Sequence, residues 1–128
     1  MPTLPDIVLD TLAEPGTVNM VGTVDKDGRP NVVVISTIAV LDTETIAFAD
    51  VCLGKTKENL TKTGRLTVAV LGTTGKKYQI RCRFVAFDNK SDMYDRWFEQ
   101  VKQRMILQLS GVALKGIAIA KVTEVLQD

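Results

Sequence analysis

The sequence predicts a mainly β fold, a small closed or partly closed antiparallel barrel carrying a few helices. Three observations predict it. Most of the chain is a succession of Val-, Ile- and Thr-rich runs separated by short turn clusters, and strands joined this tightly are antiparallel. A short polar helix interrupts the strand order at mid-chain. A longer amphipathic helix precedes the last strand.

The elements follow in order. Pro5 to Glu14 places Ile7, Val8, Leu9 and Leu12 with a helical bias, and Pro15 and Gly16 stop it. Thr17 to Val24 is β-prone, Asp25 to Pro30 is a turn cluster with an Asp-Gly signal, and Asn31 to Val40 returns as a strand. Within it, Val32 to Ile35 is continuous β-branched sequence, which predicts burial on both faces. Leu41 to Glu44 turns the chain into a third strand, Thr45 to Val51. Lys55 to Thr63 is the short polar helix, closed by Gly64 where a left-handed residue is wanted. Arg65 to Leu71 and Lys76 to Phe87 are strands flanking a turn at Gly72 to Gly75. Ser91 caps the long helix, whose apolar face is Tyr94, Phe98, Val101, Met105 and Leu109, with Gly111 as its stop. Phe98 is expected in the core, and Trp97, beside the stripe, at an interface. A last strand, about Gly116 to Val125, brings the count to six.

Composition bounds the rest. The chain has 128 residues, 45% apolar and 24% charged, which fits one ordinary globular domain, residues 1–128, and excludes intrinsic disorder. No apolar run approaches the roughly 18 residues of a membrane-spanning helix. The first residues lack the basic and apolar regions of a signal peptide, so a cytoplasmic location is expected. A net charge of +1 gives no support to nucleic-acid binding through bulk charge. The chain has no histidine, which excludes a Ser-His-Asp triad, a Cys-His pair and every His-ligated metal site. Cys52 and Cys82 stand thirty residues apart, with no CxxC pattern, and are expected to be buried thiols. An enzyme built from these residues would leave the hard chemistry to a bound cofactor.

The informative stretch is Ile46 to Leu60. A strand runs into a loop, and the loop opens a helix at Gly54, Lys55 and Thr56. Backbone N–H groups at a helix start favour anions, Lys55 adds a charge and Thr56 a hydroxyl. Asn59 follows on the same face, so Lys55, Thr56 and Asn59 can converge on one phosphate. The plain alternative is a capped surface helix with Lys57, Lys62 and Arg65 solvated. Residues 49–56 also match the phosphate-binding loop pattern GxxxxGK[ST], except that Ala49 replaces its first glycine. The surrounding hairpins argue against the parallel βαβ setting that such a loop needs.

The order of hairpin, strand, strand, Lys55-Thr56-x-x-Asn59 helix, strand, long strand, helix and final strand resembles the FMN-binding split barrels. These are the small relatives of pyridoxamine 5′-phosphate oxidase, and the resemblance is to the short bacterial FMN-binding proteins in particular. The likeness runs from about Gly16 to Val125 and is most specific from Val40 to Leu60 and from Arg65 to Val70. It implies a six-stranded antiparallel split barrel of Greek-key type. It implies that Lys55, Thr56 and Asn59 hold the FMN phosphate. Val33, Val34, Ile35, Ser36 and Thr37 would run beside the ribityl chain and ring, with the last two as hydrogen-bonding side chains. Asp50, Val51 and Leu53, at the end of the next strand, would offer main-chain groups to the polar edge of the isoalloxazine. Aromatic residues flank the flavin in the short FMN-binding proteins, whereas Val34 and Ile35 stand here. Lys76, Lys77, Arg81 and Arg83 are candidates for stabilising charge on the reduced ring. The resemblance also implies a homodimer with the flavin near the subunit interface.

The expected function is that of an FMN-binding flavoprotein, a small oxidoreductase whose substrate and redox partner the sequence does not identify. A deazaflavin would suit the same phosphate anchor. The alternatives are a non-enzymatic flavin electron carrier and a cofactor-free β-barrel interaction domain. Pyridoxamine phosphate oxidation itself is not expected, because the sequence shows no extra basic residues for a second phosphorylated ligand.

Overall fold

The apolar run that starts at Asn31 breaks at Ser36, so seven strands form where the sequence predicts six. The protein is described here by a computed structural model covering residues 3–14, 16–51, 53–108 and 115–127, with backbone alone for 102–108. In chain order the elements are α1 (Asp6–Ala13), β1 (Val18–Val24), β2 (Pro30–Ile35), β3 (Ala39–Asp42) and β4 (Thr45–Ala49). There follow α2 (Lys55–Lys62), β5 (Arg65–Leu71), β6 (Lys77–Asp88), α3 (Asp92–Gln108) and β7 (Ile117–Gln127). The strands make one sheet in the order β2-β1-β5-β6-β7-β4-β3, and every pairing is antiparallel. Ser36 to Ile38 carries the chain from one edge of that sheet to the other. The sheet curls around an apolar interior as a barrel-like fold whose two edges are consecutive in sequence.

Local chemistry explains the turns. The Asp25 carboxylate accepts the Asp27 and Arg29 N–H groups at 2.8 and 2.9 Å, which closes the β1–β2 hairpin as the Asp-Gly signal predicts. At the end of α2, the Thr63 and Gly64 amides both donate to the Asn59 carbonyl, and Gly64 takes φ +71°, the left-handed value expected of it. Ser91 caps α3 as expected, its hydroxyl accepting the Met93 N–H at 3.2 Å and donating to the Asp88 carboxylate. That hydrogen bond holds the Asp88 carboxyl below its ordinary pKa. The Gly111 stop and the end of the expected stripe at Leu109 lie outside the described residues, as do Pro15 and Cys52.

Two apolar clusters result. Inside the barrel, Val21, Phe48, Leu60, Val68, Ile80 and Val122 pack together, closed at one end by Leu4 and Val8. Outside it, α3 lies over β3, β4 and β7 and buries Ala47, Ala49, Ile117 and Ile119 beneath Trp97 and Val101. Each fully buried Val, Leu, Ile or Phe among them contributes roughly 1.5–3 kcal/mol. β4 therefore has all five residues buried, Ile46 and Phe48 facing inward and Thr45, Ala47 and Ala49 facing α3.

Two expectations are corrected here. Val32 to Ile35 is not buried on both faces: Val33 and Ile35 face the core, whereas Val32 and Val34 are 64% and 68% exposed, because no described element covers the outer face of β2. Among the described side chains of α3, Val101 is buried and Tyr94 packs beside it as expected, with Met93, but Trp97 is buried where Phe98 is 37% exposed. Only the Phe98 position fails, Trp97 taking its place, and the reason is polar. The Trp97 indole N–H donates to the Thr37 carbonyl at 2.7 Å, which a phenylalanine cannot do.

Candidate functional site

α2 is short and polar, with too few apolar residues to dock by burial alone, yet Thr56, Asn59 and Leu60 are buried against the barrel. Hydrogen bonds dock it instead. The Asn31 side-chain amide donates to the Thr56 hydroxyl at 2.9 Å, joining the first turn of α2 to β2. Asn59 donates to the Thr23 hydroxyl of β1 at 3.0 Å. The Thr63 hydroxyl, just past the helix, donates to the Val24 carbonyl at 3.0 Å. Sequence reasoning missed Thr23 and Asn31, although both are polar interruptions in otherwise apolar strands.

The expected phosphate residues are thus divided between two faces. Lys55 points to solvent and pairs with Glu58 at 3.4 Å, a contact between half-exposed side chains of small worth. Thr56 and Asn59 face inward, and the Asn59 amide oxygen is buried without a hydrogen-bond partner. The Thr56 and Lys57 amides donate to the Leu53 and Gly54 carbonyls.

The remaining predicted residues form a band from the exposed strand to the end of β4. Val33 is half-buried, Val34 exposed and Ile35 buried. Ser36 is half-buried, and the buried Thr37 hydroxyl accepts the Ala49 N–H at 3.0 Å. The Asp50 main-chain N–H is committed to the Gly116 carbonyl at 2.8 Å. Its carboxylate is buried and receives the Lys57 ammonium at 2.6 Å, and Lys57 also lies 4.8 Å from the centre of the Phe87 ring. Lys57 is therefore a structural cation, although its side chain stays 39% exposed. Val51 is half-buried and Leu53 buried.

A basic row crosses the outer face. Arg65 of β5 stands opposite Arg83 of β6, which stands opposite Lys121 of β7. Arg81, the next outward residue of β6, is bound by Glu124 at 2.6 Å. These cations are spread along the sequence, and only the strand register brings them together.

Around β4 both neighbours, β3 and β7, are antiparallel, so the residues 49–56 pattern lacks the setting of a nucleotide-binding loop. Cys82 is buried, and desolvation raises its thiol pKa to about 12, which makes it an inert core residue. Among the described residues no group of three or more Cys, Asp or Glu could hold a metal ion. No described helix is long and apolar enough to cross a membrane.

The model of the family described as Pyridoxamine 5′-phosphate oxidase matches residues 5–126. The chain belongs to that family. Membership agrees with the antiparallel barrel and with the place of α2 between β4 and β5. Among solved structures of the same fold is an FMN-binding protein from Syntrophomonas wolfei, with TM-score 0.74 and 23% identity, covering 85% of this chain and 75% of that one. Another is HupZ from Group A Streptococcus, with TM-score 0.77 and 20% identity over 97% of this chain and 93% of that one. A third is HutZ, the heme storage protein of Vibrio cholerae, with TM-score 0.69 and 17% identity over 98% and 95% of the two chains. No curated protein matches the chain.

Proposed function

We propose that this member of the pyridoxamine 5′-phosphate oxidase family is an FMN-binding flavoprotein that works as a small oxidoreductase. The observation that carries the reading is the Asn31–Thr56 hydrogen bond. It sets the first turn of α2, with Lys55, against β2, whose Val32 and Val34 stand exposed on the outer face. A flavin mononucleotide needs both a cationic anchor for its phosphate and an apolar surface for its ring. The residues present fit that demand: Lys55 supplies the charge, and the uncovered side of β2 supplies the surface.

In this reading Lys55 leaves its weak pair with Glu58 to meet the phosphate, while Thr56 and Asn59 complete the anchor by holding the helix start in place. Val33 to Thr37 line the ribityl chain and ring. Asp50, Val51 and Leu53 border the ring's polar edge, with Asp50 kept in position by Lys57. When bound, the flavin supplies the two-electron chemistry, so the chain needs no catalytic histidine or thiol. A second copy covers Val32 and Val34 and leaves the flavin near the subunit interface. The same reading places the protein in the cytoplasm.

Heme, suggested by the HutZ likeness, is the weaker fit. The chain contains no histidine, and burial keeps the Cys82 thiol protonated.

The test is the absorption spectrum of the purified protein, beside that of Lys55→Ala. We expect flavin bands in the wild type and FMN binding weakened about tenfold or more in the variant. Deazaflavin bands would change the cofactor and keep the anchor. A colourless protein that cannot be reconstituted with either leaves a cofactor-free barrel.

A further inference from the structure

We propose that the space between α1, β1 and α3 is a second small-molecule site, built for a neutral ring compound that donates a hydrogen bond. A cavity of about 740 Å³ opens there. That volume lies within the range of roughly 300–1,000 Å³ typical of small-ligand sites. Leu9 and Leu12 of α1 form one apolar wall, and Ile38 and Val40 form the other. Asn19 of β1 and Ser36 lie between them.

Asn19 indicates what the cavity would take. It is only 4% exposed, and its side-chain oxygen has no hydrogen-bond partner. A buried amide oxygen without a donor is unfavourable, so a small turn of the Asn19 side chain toward a ligand that brings a donor would be favoured. Two neighbouring polar groups are already occupied. The Gln100 amide donates to the Val40 carbonyl at 2.9 Å, and the Thr17 hydroxyl to the Thr11 carbonyl at 2.7 Å.

Charge narrows the class further. No Lys or Arg is among the described residues lining the cavity, whereas Glu14 is. A phosphorylated or carboxylated ligand would meet a carboxylate and no counter-charge among the described lining residues. A flat neutral molecule with one O–H or N–H, such as a phenol, a quinol or a lactam, meets apolar walls and the Asn19 acceptor.

The cavity stands without reference to a flavin. Its role as the place of a reaction partner does rest on the flavin reading, through Ser36, which belongs both to the cavity wall and to the segment proposed beside the ring. A second molecule seated there would make the protein an oxidoreductase and not a carrier alone.

The experiment titrates 2-naphthol and 2-naphthoate into the purified protein by calorimetry, in wild type, Asn19→Leu and Leu12→Trp. We expect 2-naphthol to bind the wild type, and the anionic 2-naphthoate to bind about tenfold or more weakly than it. Asn19→Leu keeps the volume and removes the acceptor, and should lower 2-naphthol affinity by about tenfold. Leu12→Trp fills the cavity and should abolish binding while the circular dichroism stays native. No binding to the wild type, or equal binding by wild type and Asn19→Leu, overturns the proposal. If Asn19→Leu does not fold, retained binding in Leu12→Trp overturns it and lost binding supports it. FMN titrated into the same samples reads the flavin proposal separately: 2-naphthol binding without FMN binding removes only the latter, and the converse removes only the former.

Discussion

At the scale of single residues, side-chain chemistry was easier to read than side-chain partners. Cys82 was legible as a small buried hydrophobe, and its environment adds a pH dependence. Its thiol pKa rises from an ordinary 9.0 to about 12 in the folded protein. Between those values the unfolded chain has lost the proton that the folded chain keeps. Stability therefore falls as pH rises from about 9, with a limiting slope of roughly 1.4 kcal/mol per pH unit. Urea unfolding at pH 8, 9 and 10 should show the decline, and Cys82→Ala should flatten it. Thr56 and Asn59 show the opposite case. Their spacing put them on one helix face with Lys55, but spacing does not say which side of a helix a barrel will cover. Trp97 and Phe98 were exchanged for a related reason: the apolar period admitted both, and the Thr37 carbonyl selected the indole.

At the scale of elements, strand and helix positions were largely legible because turn chemistry is local. The Asp25 turn, Gly64 and Ser91 each act within a few residues of themselves. Burial on both faces was assigned to the wrong strand because it depends on what lies above. Val32 to Ile35 has the composition of a doubly buried strand but forms a bare edge. β4 has only Ile46 and Phe48 as large residues, and its alanines are small because α3 packs on them. The join between β4 and α2 depends on one ion pair, the half-exposed Lys57 with the buried Asp50. Removing the cation alone strands a buried carboxylate. Lys57→Met should cost about 1–3 kcal/mol in thermal or urea unfolding. Asp50→Asn, which keeps the shape and removes the charge, should cost less. Equal costs would mean that the pair is solvated in solution.

At the scale of the whole molecule, the exposed valines of β2 and the proposed second subunit form one question. Val34→Asp places a charge at a position that is 68% exposed in the single chain, so monomer stability should change by no more than about 0.5 kcal/mol. If β2 faces a second copy, the same change buries an unpaired carboxylate and sedimentation should show monomer. A variant that remains dimeric at wild-type affinity would place the interface elsewhere. No periodicity in the sequence announced this surface, because exposure at an edge strand is set by sheet order. The cationic row of Arg65, Arg83 and Lys121 was hidden for the same reason.

The two apolar clusters lie on opposite sides of β4, one inside the barrel and one beneath α3. They meet through a single layer of backbone. Loss of the outer cluster would expose Trp97 and the alanines of β4 without breaking a strand pairing, which predicts two tiers of cooperativity. Amide protons of α3 should then exchange with solvent through a partial opening, faster than those of β5 and β6, which wait for global unfolding. The lone tryptophan would report the first tier, and backbone dichroism the second.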